Sequence, residues 1–207
     1  MMTGQGFLAI WSDVPAERET DYLHWMTREH AQERLAIPGF REVRLFRSIS
    51  TEFRRFFILY TLDHAGVMAS TAYLARLNDP TPWSRRIMPM LTNFRRGGGR
   101  VEASEGYGHG ALVAPILAGA GSRMAPSDLS GIMSSDRIVR ASLLRTNADA
   151  TNIRTDERQL RSHDHGFDWM TLVEGLDAGT LAARFGDVAE VFEQIFARGA
   201  TSPELES

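Results

Sequence analysis

The chain has 207 residues, of which 43% are hydrophobic and 24% are charged, a composition typical of a globular protein with a packed core. Its formal net charge of −3 excludes an overall basic field that would hold nucleic acid or an anionic membrane surface. All 23 basic residues are Arg and Cys is absent, which excludes lysine Schiff bases, thiolate nucleophiles, disulfides and cysteine-ligated metal centres.

The sequence also predicts a cytoplasmic protein without a membrane partner. Near residue 1, no positively charged stretch is followed by an apolar run, so we expect no signal peptide. Apolar runs such as residues 111–118 are far shorter than the roughly 20 residues that a transmembrane helix needs.

The first half of the sequence predicts the order strand, helix, strand, strand, helix, strand. Pro15 suits the first turn of a helix, and Pro38 with Gly39 stops that helix. Three consecutive glycines, residues 97–99, favour a flexible turn within the last apolar stretch. This order is that of the split βαβ, or ferredoxin-like, unit. The predicted elements are a strand at 7–11, a helix from 15 to about 36, strands at 40–48 and 55–62, a helix at 65–77 and a strand at 92–105.

The second half repeats part of this pattern. Leu176-Asp177 matches Leu62-Asp63 at the junction between a strand and the second helix, and a nearby Ala-Gly pair follows in both halves. The first helix of the second half is shorter, and no final strand is evident. We therefore predict an α+β chain of two tandem ferredoxin-like halves, residues 1–106 and 107–207. The predicted elements of the second half are a strand at 110–117, a helix at 126–133, strands at 137–145 and 167–173, and helical segments over 178–198.

The predicted first helix carries ionisable residues on an otherwise apolar face. Unpaired ionisable groups on a buried face are costly, so they must pair, remain hydrated or line a cavity. In one interpretation Glu29 and Glu33 pair with Arg residues and His30 bonds a backbone carbonyl; in the other, these side chains line a pocket. His24 points away from this face. The face and its edges comprise Tyr22, Leu23, Trp25, Met26, Glu29, His30, Glu33 and Ile37.

The segment that contains this helix resembles the signature of EthD-like proteins in the dimeric α+β barrel superfamily. The matching residues are Trp25-x-x-x-Glu29-His30-x-x-Glu33-Arg34-x-x-Ile37-Pro38-Gly39-Phe40, and the likeness covers residues 6–62. The resemblance implies that the two halves form a dimeric α+β barrel-type arrangement within one chain. It also implies a pocket between the first helix and the sheet, with a His facing it.

The resemblance makes His30 the candidate general acid or base, with Glu29 or Glu33 orienting or tuning it. Arg44 or Tyr60 would hold a developing oxyanion. The implied function is cofactor-independent binding of a small apolar or aromatic metabolite, with acid–base conversion if the protein is an enzyme. The implied substrate-binding residues are Tyr22, Trp25, Met26, Arg44 and Tyr60.

Other functions stay open from the residues alone. The chain could be a noncatalytic binding or assembly protein, or could bind haem through an imidazole. His163 and His165, with Asp164 and Asp168, could hold a divalent metal, but they lie in a polar Arg-rich stretch and we expect no metal site. Because the second half lacks an evident final strand, an uncovered sheet edge favours a homodimer.

Overall fold

The protein is an α+β structure organised around a closed, eight-stranded antiparallel barrel, as a computed structural model shows. The structure describes residues 1–50, 54–118, 124–161 and 164–200. Within these ranges, no helix is both long and apolar enough to cross a membrane. The strands are β1 (Gly6–Asp13), β2 (Phe40–Ser48), β3 (Arg55–Leu62), β4 (Thr92–Gly106), β5 (Leu112–Ala118), β6 (Ile138–Thr146), β7 (Trp169–Gly175) and β8 (Phe192–Gly199).

Helices cover the outside of the barrel. The longer helices have apolar faces that pack on the sheet, and several short ones lie in the connections. The α-helices are α1 (Glu19–Trp25), α2 (Ala31–Leu35), α3 (Thr71–Leu77), α4 (Pro82–Ile87), α5 (Leu129–Met133), α6 (Ala148–Thr151), α7 (Asp156–Gln159) and α8 (Ala178–Phe185). Short 3-10 turns occupy Ala16–Arg18, Ala65–Ala69, Met88–Met90 and Pro126–Asp128.

The barrel order is β1-β3-β2-β8-β5-β7-β6-β4. The first four strands therefore lie in the order β4-β1-β3-β2 and the last four in the order β8-β5-β7-β6, so corresponding strands occupy corresponding places. The barrel closes through two ladders, β2 with β8 and β4 with β6.

The prediction that the second half ends in a helix was wrong. Helix α8 ends at Phe185, and residues 192–199 form β8, which pairs with β2 along most of its length. The Glu, Gln, Ala and Arg in this segment are good helix formers, but pairing on both sides overrides so weak a preference. The sheet edge on which we based the expected homodimer is therefore already covered within the chain.

The alternation of side chains along the strands separates three cores. On β1, Phe7, Ala9 and Trp11 point into the barrel, whereas Leu8 and Ile10 point outward against the helices of the first half. A third core lies outside the barrel on the second half, against α5 and α8. The interior core is aromatic and aliphatic, and comprises Phe7, Ala9, Trp11, Phe46, Phe57, Leu59, Val101, Val113, Leu144, Met170, Leu172 and Phe192, with Met1 packed at its edge.

The three glycines of β4 are a continuous part of the strand, so the predicted flexible turn was wrong. A Cβ at Gly98 would lie 2.1 Å from the Sδ of Met68, and one at Gly99 would lie 1.9 Å from the carbonyl oxygen of Arg145. The glycines allow the backbone of β4 to approach its neighbours closely, which no side chain would permit.

Candidate functional site

The predicted first helix is continuous over residues 19–35 but changes pitch in the middle. A π-helical turn, Met26–His30, separates α1 from α2, and the N–H of Ala31 donates to the carbonyl of Met26 five residues earlier. Such turns insert one residue into an α-helix and are frequent at functional sites. The turn shifts the angular positions of the residues that follow it, so a helical wheel with a constant 100° step misplaces their faces.

His30 ends this π turn and is buried, with 3% of its surface exposed. Its imidazole lies against the indole of Trp25, with ring centroids 4.2 Å apart and planes at 33°. The indole is itself fixed, because its Nε1 donates to the Oγ of Ser84 on α4 over 3.1 Å. Among the residues that the structure describes, the His30 Nδ1 has no hydrogen-bond partner. The backbone-bonded, fully packed histidine considered from the sequence is not what the structure contains.

The His30 cavity lies between the first helix and the outer face of the barrel. Its volume is about 30 Å³, which is room for about one water molecule. Most of its wall is aromatic or aliphatic, and one end is polar. The wall comprises Leu8, Ile10, Ser12, Tyr22, Trp25, His30, Ile58, Tyr73, Leu77, Met88, Leu91 and Phe94, and the polar end comprises Arg34, Arg96, Thr155, Glu157, Arg158 and Arg161.

The polar end of the His30 cavity has more cations than carboxylates. Arg34, 3% exposed, is paired with Glu157. Arg161 is paired with Asp164 over 3.0 Å and approaches Glu157 at 3.8 Å. Arg96 donates to the hydroxyl of Tyr73 over 3.1 Å and to a backbone carbonyl, and has no carboxylate partner among the described residues. With Arg158, which shares Asp164, four guanidinium groups face two carboxylates, an arrangement that favours an anionic oxygen.

This environment keeps His30 neutral. Burial lowers the pKa of its imidazole well below the usual value of 6.5, and the nearby positive charges of Arg34 and Arg161 lower it further. At neutral pH the ring therefore carries one proton, and one of its two nitrogens is free to accept a hydrogen bond or a proton.

The structure brings some of the predicted site residues together and separates others. Tyr22 and Trp25 line the cavity with His30, and Met26 is buried in the adjoining core. Glu29 instead accepts a hydrogen bond from the hydroxyl of Thr81 over 2.7 Å. That threonine also caps α4, which lies between the helix predicted at 65–77 and the strand predicted at 92–105.

Glu33 faces away from the cavity. It pairs with Arg76 over 3.5 Å at a surface groove formed with α3. Burial raises the pKa of its carboxyl, and the positive charges of Arg34 and Arg76 oppose that rise. Neither glutamate lines the cavity with His30, because Glu29 is held by Thr81 and Glu33 by Arg76.

Arg44 lies inside the barrel rather than beside His30. Its side chain is 1% exposed and donates to the carboxylate of Glu174 over 2.7 Å, to the carbonyl of Gly110 over 2.8 Å and to Gln194 over 2.6 Å. On β2 it shares the inner face with Phe46, and its guanidinium lies 4.8 Å from that ring. The sheet therefore separates Arg44 from the His30 cavity, contrary to the role expected for it.

Tyr60 is on the correct side of the sheet but behind the cavity wall. It is buried in the outer core, packs edge-on against Phe40 at 5.5 Å, and its hydroxyl has no hydrogen-bond partner among the described residues. Burial raises the pKa of this hydroxyl, and the charge of Arg34 opposes the rise. Tyr60 is therefore a neutral phenol close to Arg34.

Sequence reasoning missed the arginines at the polar end of the cavity. Arg34 lies four residues after His30, a spacing that places the two on one helix face, so it could have been recognised. The polar stretch that contains Glu157, Arg158 and Arg161 lies more than 120 positions after His30. Its composition was visible in the sequence, but its position in the fold was not. Of the residues considered for a metal site, His163 lies outside the described residues. Within the described ranges, no group of three or more metal-ligating side chains occurs.

Solved structures show what this architecture is similar to. No protein-family model matches the chain, and no curated protein is significantly similar to it. The crystal structure of an anthrone oxidase-like protein matches it with a TM-score of 0.59 and 8% identity over 99% of this chain and 97% of that one. A protein of Fusobacterium nucleatum, provisionally named a monooxygenase, matches with a TM-score of 0.52 and 8% identity over 96% of each chain. Both are dimeric α+β barrel proteins.

The chain has the dimeric α+β barrel fold. The fold that the sequence resemblance implied is therefore confirmed. Identities of 8% show the fold alone, so the activities in those names remain statements about the neighbouring proteins.

Proposed function

We propose that the protein binds a small aromatic compound with an acidic hydroxyl in the His30 cavity, and that His30 takes up the hydroxyl proton. The observation that carries this proposal is the unpartnered Nδ1 of a buried, neutral imidazole on the wall of an aromatic cavity. A buried polar atom without a partner is costly and rare in folded proteins, so its retention favours a ligand.

The chemistry follows from the two ends of the cavity. The aromatic ring lies against Trp25, and the hydroxyl O–H bond breaks as its proton passes to the His30 nitrogen. The oxygen becomes a phenolate, and Arg34 and Arg161 stabilise its negative charge. Although the free imidazole is a weak base, the phenolate beside it favours the imidazolium, so the ligand offsets the effect of burial.

A ligand larger than water requires the cavity to widen. Its present volume of about 30 Å³ is well below that of a drug-sized pocket, roughly 300 Å³ or more. We propose that the wall widens at Arg158 and Arg161, which lie at and just after the four-residue helix α7. A haem group would need a much larger displacement, which disfavours the haem alternative.

The names of the two structural neighbours extend the proposal toward oxidation. An anthrone is an aromatic ketone whose enol form has an acidic hydroxyl, and its deprotonated form is electron-rich enough to react with dioxygen in a monooxygenation. One oxygen atom converts the ring CH2 to a carbonyl, and the other leaves with the two hydrogens as water. We propose this class of reaction for the site, without a bound cofactor, and propose also that the chain is EthD-like. The helix signature around His30 supports both.

Two structural proposals accompany the functional one. We infer that residues 1–106 and 107–207 are tandem ferredoxin-like halves, which the matching strand orders β4-β1-β3-β2 and β8-β5-β7-β6 support. We also propose a homodimer, now supported only by likeness to the fold because the barrel has no uncovered edge in this order. Sedimentation that detects only monomer at micromolar concentration would exclude the dimer.

Titration with 4-nitrophenol tests the proposed proton transfer directly, because its phenolate absorbs visible light and the neutral phenol does not. At a pH where the free compound is mostly neutral, the wild-type protein should increase the phenolate absorbance. His30→Gln keeps a polar side chain of similar size but cannot take up the proton, so the absorbance should remain that of the free compound. His24→Gln, on the same helix but outside the cavity, is the matched control and should behave as wild type.

Two results would contradict the proposal. One is a phenolate absorbance with His30→Gln as large as with the wild-type protein. The other is no binding of 4-nitrophenol to a folded wild-type protein. Circular dichroism of each variant shows whether the fold is intact.

A further inference from the structure

A second hollow opens at one end of the barrel, on the inner side of the sheet and apart from the His30 cavity. This barrel-mouth hollow has a volume of about 490 Å³ and is bordered by Trp11, Arg55, Arg95 and Phe192, among others. A neighbouring hollow of about 400 Å³ shares Arg95 and Leu117 with it. Both volumes lie in the range of small-molecule pockets, roughly 300 to 1,000 Å³.

Trp11 provides a rigid aromatic surface at this hollow. Its indole is stacked on the ring of Phe57, with centroids 4.5 Å apart and planes at 24°. Phe167 meets it edge-on at 5.5 Å. Because two rings hold it from different sides and 7% of its surface is exposed, the indole gives the hollow a fixed aromatic edge against which a ligand ring can pack.

Arg95 brings an unneutralised positive charge to the same hollow. It is opposite Trp11 in the ladder between β1 and β4, which places both side chains on the inner face. Among the described residues, the Arg95 side chain has no hydrogen-bond or ion-pair partner, although it is half-buried. A guanidinium group presents a planar set of donors that matches a carboxylate.

The two carboxylates that contact Arg55 at the barrel-mouth hollow, Asp13 and Glu190, are already engaged. Asp13 accepts from Arg55 over 2.6 and 3.0 Å and from the side chain of Asn93 over 2.7 Å. Burial raises the pKa of the Asp13 carboxyl, but these hydrogen bonds outweigh burial and leave it below the usual value. Glu190 accepts from Arg55 over 3.0 Å. Arg95 is therefore left to bind an external anion.

The backbone at the rim is strained. Asn93 has a φ of 47°, in the left-handed region, beside the bulge where the β1–β4 register shifts between Trp11 and Asp13. Asparagine tolerates this conformation better than most residues, and such positions cluster at ligand sites. In the adjoining hollow, the Thr146 hydroxyl is buried without a hydrogen-bond partner among the described residues. A ligand would supply the missing partner.

We propose that the barrel-mouth hollow is a second binding site, specific for small aromatic carboxylates. The ring of the ligand packs against the exposed edge of Trp11, and its carboxylate accepts hydrogen bonds from Arg95. This site does not depend on the His30 cavity, because the two hollows open on opposite faces of the sheet and share no lining residue.

Calorimetric titration with 2-naphthoate tests the proposal. We expect the wild-type protein to bind it, and to bind the uncharged analogue 2-naphthamide much more weakly. Arg95→Gln should lower the affinity for 2-naphthoate by roughly tenfold or more, the usual effect of losing a hydrogen bond to a charged group. Arg100→Gln is the matched control on the same strand, because Arg100 is exposed and pairs with Glu102. It should leave the affinity unchanged, and so should His30→Gln.

Nuclear magnetic resonance of the wild-type protein locates the ligand even if a variant fails to fold. Amide shifts on adding 2-naphthoate should centre on Trp11 and Arg95. Shifts centred on Trp25 and His30, an unchanged affinity in Arg95→Gln, or no binding at millimolar 2-naphthoate would each overturn the proposal. Loss of 4-nitrophenol deprotonation with intact 2-naphthoate binding would contradict the His30 proposal alone.

Discussion

The imidazole of His30 packs against the indole of Trp25, with ring centroids 4.2 Å apart and planes tilted by 33°, and the indole is held by Ser84. The π turn brings the two rings together, since Trp25 precedes it and His30 ends it. The position of His30 in the cavity wall thus depends on a helix irregularity and on a hydrogen bond to α4.

We predict that Ser84→Ala will lower the free energy of unfolding by about 1–3 kcal/mol, because it leaves the buried Trp25 N–H without an acceptor. The same substitution in a Trp25→Phe background should cost less, since that background has no N–H to satisfy. Urea denaturation of the wild type, the two single variants and the double variant measures the coupling free energy between Trp25 and Ser84, which should be at least roughly 0.5 kcal/mol. Equal costs in both backgrounds would show that the Trp25–Ser84 hydrogen bond contributes nothing.

His30 should make the protein less stable as the pH falls below 6.5. Its pKa is well below 6.5 in the folded protein, so on acidification the unfolded chain binds a proton that the folded protein does not. The free energy of unfolding then decreases by up to about 1.4 kcal/mol per pH unit from this group, between pH 6.5 and the lowered pKa.

His30→Gln should remove this contribution. Denaturation curves at several pH values between 7 and about 5 should therefore show a shallower pH dependence for His30→Gln than for wild type, by up to one proton. His24→Gln should retain the wild-type slope. Parallel slopes for wild type and His30→Gln would mean that His30 titrates normally in the folded protein.

Arg44 should matter for stability and not for the His30 site. Arg44→Met leaves the carboxylate of Glu174, which is fully buried, without its cation, and the free energy of unfolding should fall by roughly 3–5 kcal/mol. Arg41→Met on the same strand breaks only an exposed pair with Asp63 and should lower the free energy of unfolding far less. Under conditions where Arg44→Met is folded, deprotonation of 4-nitrophenol should equal that of wild type. A selective loss of this deprotonation would restore Arg44 to the candidate site.

Two glycines with opposite surroundings test the packing of β4. Gly99→Ala places a Cβ against the Arg145 backbone, which cannot move cheaply, so a loss of about 1–3 kcal/mol is expected. Gly131, in α5, has no atom within 4 Å of the corresponding position. Gly131→Ala should therefore stabilise the protein by about 0.4–1 kcal/mol through the unfolded chain. Thermal unfolding of both variants measures these changes in stability. If Gly99→Ala were as stable as the wild-type protein, the strands β4 and β6 could separate locally at this point.

The sequence by itself determined the order of the strands and of the two main helical segments in the first half, and it directed attention to His30; it did not indicate α4 or the π turn. The strands at 40–48 and 55–62 were predicted with the bounds that the structure has, because dense apolar runs between polar breaks are a local signal. The end of the first helix before Pro38 was likewise predicted from a local signal, the Pro-Gly pair. The burial of His30 could be anticipated because an ionisable residue on an apolar stripe is visible in the spacing alone.

Only the tertiary structure decided which groups surround His30. Arg161 and Glu157 reach the cavity from a polar stretch whose position no local pattern fixes. Glu29 and Glu33 bind Thr81 and Arg76, partners that the sequence did not indicate. β8 is a strand because β2 and β5 supply partners for its backbone groups, although its residues favour a helix. Arg44 lies inside the barrel because side chains on a strand alternate between faces, and closure of the barrel decided which face became the interior.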